Sequence, residues 1–142
     1  MKKLSIYVIH SRKLNYKEEF YKPLLLSECA NHNLILPLTE KYQEMYAKDL
    51  VDNSDVIITN LTDSTFSVFL ETRWAIKAKK TILFLIKDKS KCSFLLKKYK
   101  KRSETYLNIV EEKDIINRFL NENMANLTSK DDSGVINLGS IS

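Results

Sequence analysis

Glycine is nearly missing from this chain: of 142 residues only Gly134 and Gly139 are glycine, so the first 133 positions have none. That excludes the glycine-rich turns that cradle a pyrophosphate, and with them nicotinamide, flavin or ATP sites of the usual kind. Histidine is as scarce, with His10 and His32 alone, and Cys29 and Cys92 stand far apart, so no ligand spacing suits a metal. No GxSxG elbow occurs. Neither a metal nor a cofactor is expected. Two isolated cysteines fit a reducing compartment better than a disulfide framework, which points to the cytoplasm. Long hydrophobic runs are also absent. Nothing approaches the roughly 18–20 residues of a membrane span, and no membrane partner is expected. The opening MKKLSIYVIHSRKL begins like a signal peptide, but its apolar run covers only residues 4–9 and alternates like a strand.

What the chain does hold is lysine. From Lys77 to Arg102 there are eleven Lys or Arg residues and one acid, Asp88, so this window carries +10 (eleven minus one) in a chain of net +5. Such an edge can attract phosphates. Aromatics and arginines are not interleaved as on an RNA-binding surface, and no zinc-finger or helix-turn-helix pattern occurs. The window therefore reads as a solvated lysine-rich face, and nucleic acid is not an expected partner.

With 44% hydrophobic residues, the chain is long enough for one full core. Residues 1–127 read as a single domain, and the polar stretch 128–142, which holds both glycines, reads as a mobile tail in which residues 135–138 are apolar enough to dock. The most informative segment is DVIITNLTDSTFSVFLETRWAIKAKKTILFL, residues 55–85. It predicts a buried strand (56–60), a polar loop (62–65), an amphipathic helix (67–78) and a second buried strand (81–86). Two apolar β-branched runs around one helix make a right-handed βαβ unit of a parallel sheet.

Elsewhere the pattern predicts a strand over 4–9 and a helix over 16–31 with Asn15 as its cap. Pro23 requires that helix to kink or to begin a turn later. A strand over 34–38, a helix over 40–53, a short helix over 90–99, an edge strand over 105–110 and a helix over 111–127 follow. Five strands alternating with helices indicate an α/β fold, a flavodoxin- or Rossmann-like doubly wound parallel sheet of order 2-1-3-4-5. Ligands of such sheets bind beyond the carboxyl ends of the strands where the order reverses. That places a crevice between His10, Ser11 and Arg12 after the first strand and residues 60–65 after the third. Glu71 stands on its wall, a carboxylate among Val68, Phe69, Leu70, Trp74 and Ala75. Ser64, Ser67 and Glu71 share one helical stripe that can line a pocket.

At these residues the chain resembles the nucleoside 2-deoxyribosyltransferase-like proteins, a group that includes deoxynucleoside monophosphate N-glycosidases. SIYVIHS is similar to their first strand, and KDLVDNSDVIITNLTDSTFSVFLETRWAIKAKKTILFL to their core, in which an aspartate precedes a helix and an E-L-G-x-A helix follows an "aDvvvaev" strand. The likeness covers residues 4–95. It implies a cofactor-free enzyme that cleaves or transfers the N-glycosidic bond of a nucleoside or nucleoside monophosphate. Glu71 would be the nucleophile on the anomeric carbon, Asp49 the acid that helps the base leave, and Tyr7 the group that orients Glu71.

The same likeness implies that Ser11 and Ser64 bind phosphate or sugar hydroxyls, and that Ser93 reaches into a neighbouring subunit's site in a homodimer. His10 replaces the family's glycine after the first strand, Asn60 the acid that ends the third, and Thr72-Arg73 the residues after the glutamate; His10 and Asn60 are counted with the substrate-contacting positions. Each residue also has a plainer reading: Glu71 paired with Arg73 or Lys77, Tyr7 in the core, Asp49 on a helix surface, Ser64 and Ser67 as caps, His10 in a loop. The segment HSRKLNYKEEFYKPL is similar to TIR-like domains, so the alternative function is an NAD-cleaving or nucleotide-sensing signalling module.

Overall fold

The computed structural model describes residues 3–88 and 90–136, with side chains to residue 127. Five parallel strands form one sheet of order β2-β1-β3-β4-β5: β1 (Ser5–Ile9), β2 (Asn33–Ile35), β3 (Val56–Asn60), β4 (Thr81–Lys87) and β5 (Glu104–Tyr106). This is the predicted doubly wound α/β architecture. The pleat sorts the central strands by residue parity. Ile6, Val8, Val56, Ile58, Leu83 and Leu85 enter one core, whereas Tyr7, Ile9, Ile57, Phe84 and Ile86 enter the other. Both faces are covered, which is why β3 reads VIITN and is buried at every position.

Before β2 the chain is helical but not one helix. A π-helical turn, Lys17–Tyr21, runs into α1 (Lys22–Leu26), and a 3-10 turn, Glu28–Asn31, follows. Pro23 accounts for the first break. It has no N–H and its ring crowds the carbonyl four residues back, and the widened turn accommodates it by letting the Lys22 N–H reach Lys17 O. Ser27 accounts for the second: its backbone is extended and its Oγ accepts from the Cys29 N–H at 3.1 Å.

β2 ends at Ile35 rather than at residue 38, and turns and bends occupy residues 37–45, which takes in the start of the helix predicted over 40–53; α2 (Ala47–Asp52) is all of that helix that forms. Pro37 cannot donate to a ladder, which limits the edge strand. α3 (Phe66–Lys77) lies between β3 and β4 as predicted. Over residues 90–99 the helix is confined to a 3-10 turn, Phe94–Leu96, and α4 (Lys97–Lys100).

The last strand stops at Tyr106, not at residue 110, because a strong cap starts α5 (Ile109–Ile136) early. Asn108 Oδ1 accepts from the Glu111 N–H at 2.9 Å, and Glu111 Oε1 accepts from the Leu107 N–H at 2.7 Å. α5 runs on past residue 127, where the tail was expected to begin; residues 137–142, and the side chains from 128 onward, lie outside the described residues. Among the described residues no helix is long and apolar enough to cross a membrane.

Candidate active site

A cleft of about 480 Å³ opens at the carboxyl end of β1, where the strand order reverses. Tyr7 reaches it because odd residues of β1 face α3. Glu71 reaches it from the second turn of α3, one helical step beyond Ser67, and both line the wall. Tyr7 Oη donates to Glu71 Oε1 at 2.7 Å. Burial raises the Glu71 carboxyl above its ordinary range, and the hydrogen bond from Tyr7 pulls it back down. The Tyr7 phenol is pushed far upward by burial and then by the Glu71 charge beside it, so it stays protonated and acts only as a donor to the carboxylate.

The opposite wall comes from the loops after β1 and β2: His10, Ser11, Arg12, Lys13, Pro37 and Leu38. His10 does not fill the cleft. Its ring stacks on Tyr16 at 4.9 Å between centroids and packs edge-on against Phe20 and Tyr21. Nδ1 lies 3.0 Å from Ser11 O, and a carbonyl only accepts, so Nδ1 carries the proton and Nε2 accepts from Tyr21 Oη at 2.7 Å. Tyr21 Oη in turn accepts from the Leu38 N–H at 3.2 Å, which ties the two loops together. Burial lowers the His10 pKa, and the Arg12 charge adds to that against the bond to Ser11, so the imidazole is neutral near pH 7. Cationic character at the mouth therefore comes from the exposed side chains of Arg12 and Lys13, while Ser11 is buried with its Oγ accepting from the Lys13 N–H at 3.0 Å.

Tyr7, His10, Ser11, Ser67 and Glu71 thus converge, whereas four other expected residues do not line this cleft. Asp49 is exposed on α2. Asn60 is buried toward the far side of the site: its Nδ2 donates to Tyr106 Oη at 2.9 Å and its Oδ1 accepts from the Thr62 N–H at 3.0 Å. Ser64 Oγ accepts from the Ser93 N–H at 3.0 Å, and Ser93 Oγ caps the following turn by accepting from the Leu95 N–H at 3.3 Å. These two serines brace one loop against another. Arg73 lies outside as well, with its guanidinium 6.0 Å from the Phe69 ring centre.

Thr65 lines the cleft from the loop expected there, whereas sequence reasoning missed Lys13, Pro37 and Leu38 as lining residues and Tyr21 as the link between loops. A basic pair directly after a strand that ends at a switch point was a usable signal for Arg12 and Lys13. Nothing in the sequence marked Tyr21 or Leu38. Among the described residues no cluster of His, Cys, Asp and Glu has metal-site geometry.

No protein-family model matches the sequence, and no curated protein is similar to it. Among solved structures the fold is similar to that of the CMP N-glycosidase BcmB of Clostridium botulinum. The TM-score is 0.61 at 16% sequence identity, over 82% of this chain and 99% of that one. At that identity the likeness shows a shared fold.

Proposed function

We propose that the protein cleaves the N-glycosidic bond of a nucleoside monophosphate, with Glu71 as nucleophile. The observation that carries this is the 2.7 Å bond from Tyr7 to Glu71 on the wall of the switch-point cleft. It leaves Glu71 Oε2 free for attack while Oε1 is held in place. Oε2 forms a bond to the anomeric carbon as the bond to the base nitrogen breaks, and the electron pair leaves with the base, which takes up a proton from solvent in the open cleft. Water then attacks the same carbon, gives its proton to solvent and releases the sugar phosphate and the Glu71 carboxylate. Oxocarbenium character at the sugar is stabilised by the carboxylate throughout.

Arg12 and Lys13 at the mouth favour a phosphorylated substrate, and Glu71 is the only acid among the lining residues to oppose it. Asp49, exposed on α2, takes no part in this scheme within one chain. The shared fold with an enzyme that is a CMP N-glycosidase supports the same class of bond. A homodimer belongs to this reading through the resemblance in sequence, and light scattering that finds a monomer removes it.

The test is chromatographic detection of free base from a panel of nucleosides, nucleoside monophosphates and NAD, with wild type beside Glu71→Ala. Release from one or more monophosphates that disappears in the variant is expected. Release from NAD alone would move the protein to the NAD-cleaving class, and release that persists in the variant removes Glu71 as nucleophile.

A further inference from the structure

Residues 90–102 carry six cations and no acid. The helical pattern predicted over 90–99 would have turned an apolar side inward, but the fold does otherwise. Only Leu96 and Tyr99 are buried, while Phe94 is 81% and Leu95 44% exposed. Around this adjacent apolar pair stand Lys97, Lys98, Lys100, Lys101 and Arg102, all exposed and none in an ion pair among the described residues. Lys97 Nζ lies 5.9 Å from the Phe94 ring centre, Lys98 Nζ 5.0 Å from that of Tyr99, and the Arg102 guanidinium 5.2 Å from that of Phe84. These three charged groups thus lie over ring faces, and the residues that carry them remain exposed. The nearest acid that follows in sequence, Glu104, is already paired with Arg118.

We propose that this surface docks peripherally on an anionic lipid bilayer, with Phe94 and Leu95 seated at the headgroup–acyl boundary and the α4 cations among the phosphates. Charge complementarity fixes the sign of the partner: a sheet of negative charge is needed to oppose five neighbouring cations with no acid between them. The apolar pair fixes its kind. A Phe beside an aliphatic Leu suits insertion between lipids, whereas stacking on bases requires aromatic planes, and one exposed ring supplies only one. Lysine outnumbers arginine four to one across residues 97–102, which favours diffuse headgroup charge over the planar, bidentate contacts of nucleic-acid recognition. The expectation of no membrane partner rested on the lack of a membrane-spanning run, and peripheral docking does not require one.

The docking surface borders the cleft. Ser93, directly before Phe94, donates its N–H to Ser64 Oγ, and the chain runs from Ser64 straight into Thr65 and Ser67 of the cleft wall. A docked molecule would hold that wall close to the lipid.

The experiment is flotation of the full chain with vesicles of phosphatidylcholine alone and of phosphatidylcholine mixed with phosphatidylglycerol, beside a single-stranded oligonucleotide in a separate mobility assay. Binding to the mixed vesicles, little to phosphatidylcholine, and loss at high salt are expected. Phe94→Ala lowers the partition coefficient about tenfold, and Lys98→Gln with Lys101→Gln about twenty-fivefold, or about fivefold per charge. All three side chains are exposed, so unchanged thermal unfolding accompanies the loss. No flotation with mixed vesicles at low salt, equal flotation with both compositions, or variants that float like wild type overturns the proposal. So does oligonucleotide binding without vesicle binding, which would give the surface to nucleic acid.

Discussion

The carboxylate of Glu71 is held between two opposed influences. Burial favours its neutral form, and the phenol of Tyr7 favours the charged form by donating a hydrogen bond at 2.7 Å. In the proposed reaction Glu71 must be ionised to attack, so the Tyr7 bond would help set the pH at which the site becomes competent. Tyr7→Phe removes the donor and leaves the ring. A charge-assisted bond contributes about 1.5–3 kcal/mol, so losing it leaves burial unopposed and raises the Glu71 pKa further. The acid limb of the kcat/KM profile is therefore expected to move to higher pH. A carbon-13 titration of the Glu71 carboxyl reads the same shift without relying on turnover. An unmoved titration would mean that Tyr7 positions Glu71 without setting its charge.

At the scale of elements, scarcity of glycine leaves a cost that can be located. α3 ends in a Schellman arrangement: the Lys79 N–H donates to Ile76 O at 3.0 Å and the Lys80 N–H to Ala75 O at 3.1 Å. That geometry needs a left-handed residue, and Lys79 supplies it at φ 58° where glycine is the usual choice. Lys79→Gly is expected to raise the free energy of unfolding by up to about 1 kcal/mol, measured by urea denaturation; a fall would mean that the lysine side chain contributes more than the strain costs.

The β3–α3–β4 unit was legible because its apolar runs are continuous and its helix has a full stripe. So was the sheet order, and the convergence of Tyr7 and Glu71 follows from those two together. Less legible were elements whose bounds depend on single residues: Pro23 and Ser27 splitting the first helix, Pro37 shortening β2, and the Asn108–Glu111 cap starting α5 inside a predicted strand. The inward turn of Asn60 was hidden because its partner Tyr106 is 46 residues away, beyond the reach of any local pattern.

Across the whole molecule the stability curve should carry the mark of one buried acid. Glu112, in the first turn of α5, is completely buried, and its Oε1 has no hydrogen-bond partner. Its Oε2 lies 3.5 Å from Asn60 Nδ2 on β3. The groups that face it come from three further elements: Glu19 on the π-helical turn, Lys87 on β4 and Tyr106 on β5. Lys87 Nζ is 2.6 Å from Glu19 Oε1, so much of its charge is already engaged. Burial, with Glu19 adding to it and Lys87 opposing, raises the Glu112 pKa to about 9.

The unfolded chain ionises this group near its ordinary value and the folded chain resists. Stability is therefore fully present below about pH 4.5 and is lost as pH rises toward about 9, with a slope of up to about 1.4 kcal/mol per pH unit for one proton. Glu112→Gln keeps the shape and cannot ionise. Urea unfolding at about pH 5 and about pH 8 should show wild type losing stability between the two, and the variant losing markedly less. Because β3, β4, β5, α5 and the π-helical turn all meet at this carboxyl, the gain at the higher pH should appear in one cooperative transition. A separate early phase would mean that α5 loosens on its own, and equal slopes in the two proteins would mean that Glu112 is already ionised in the folded state.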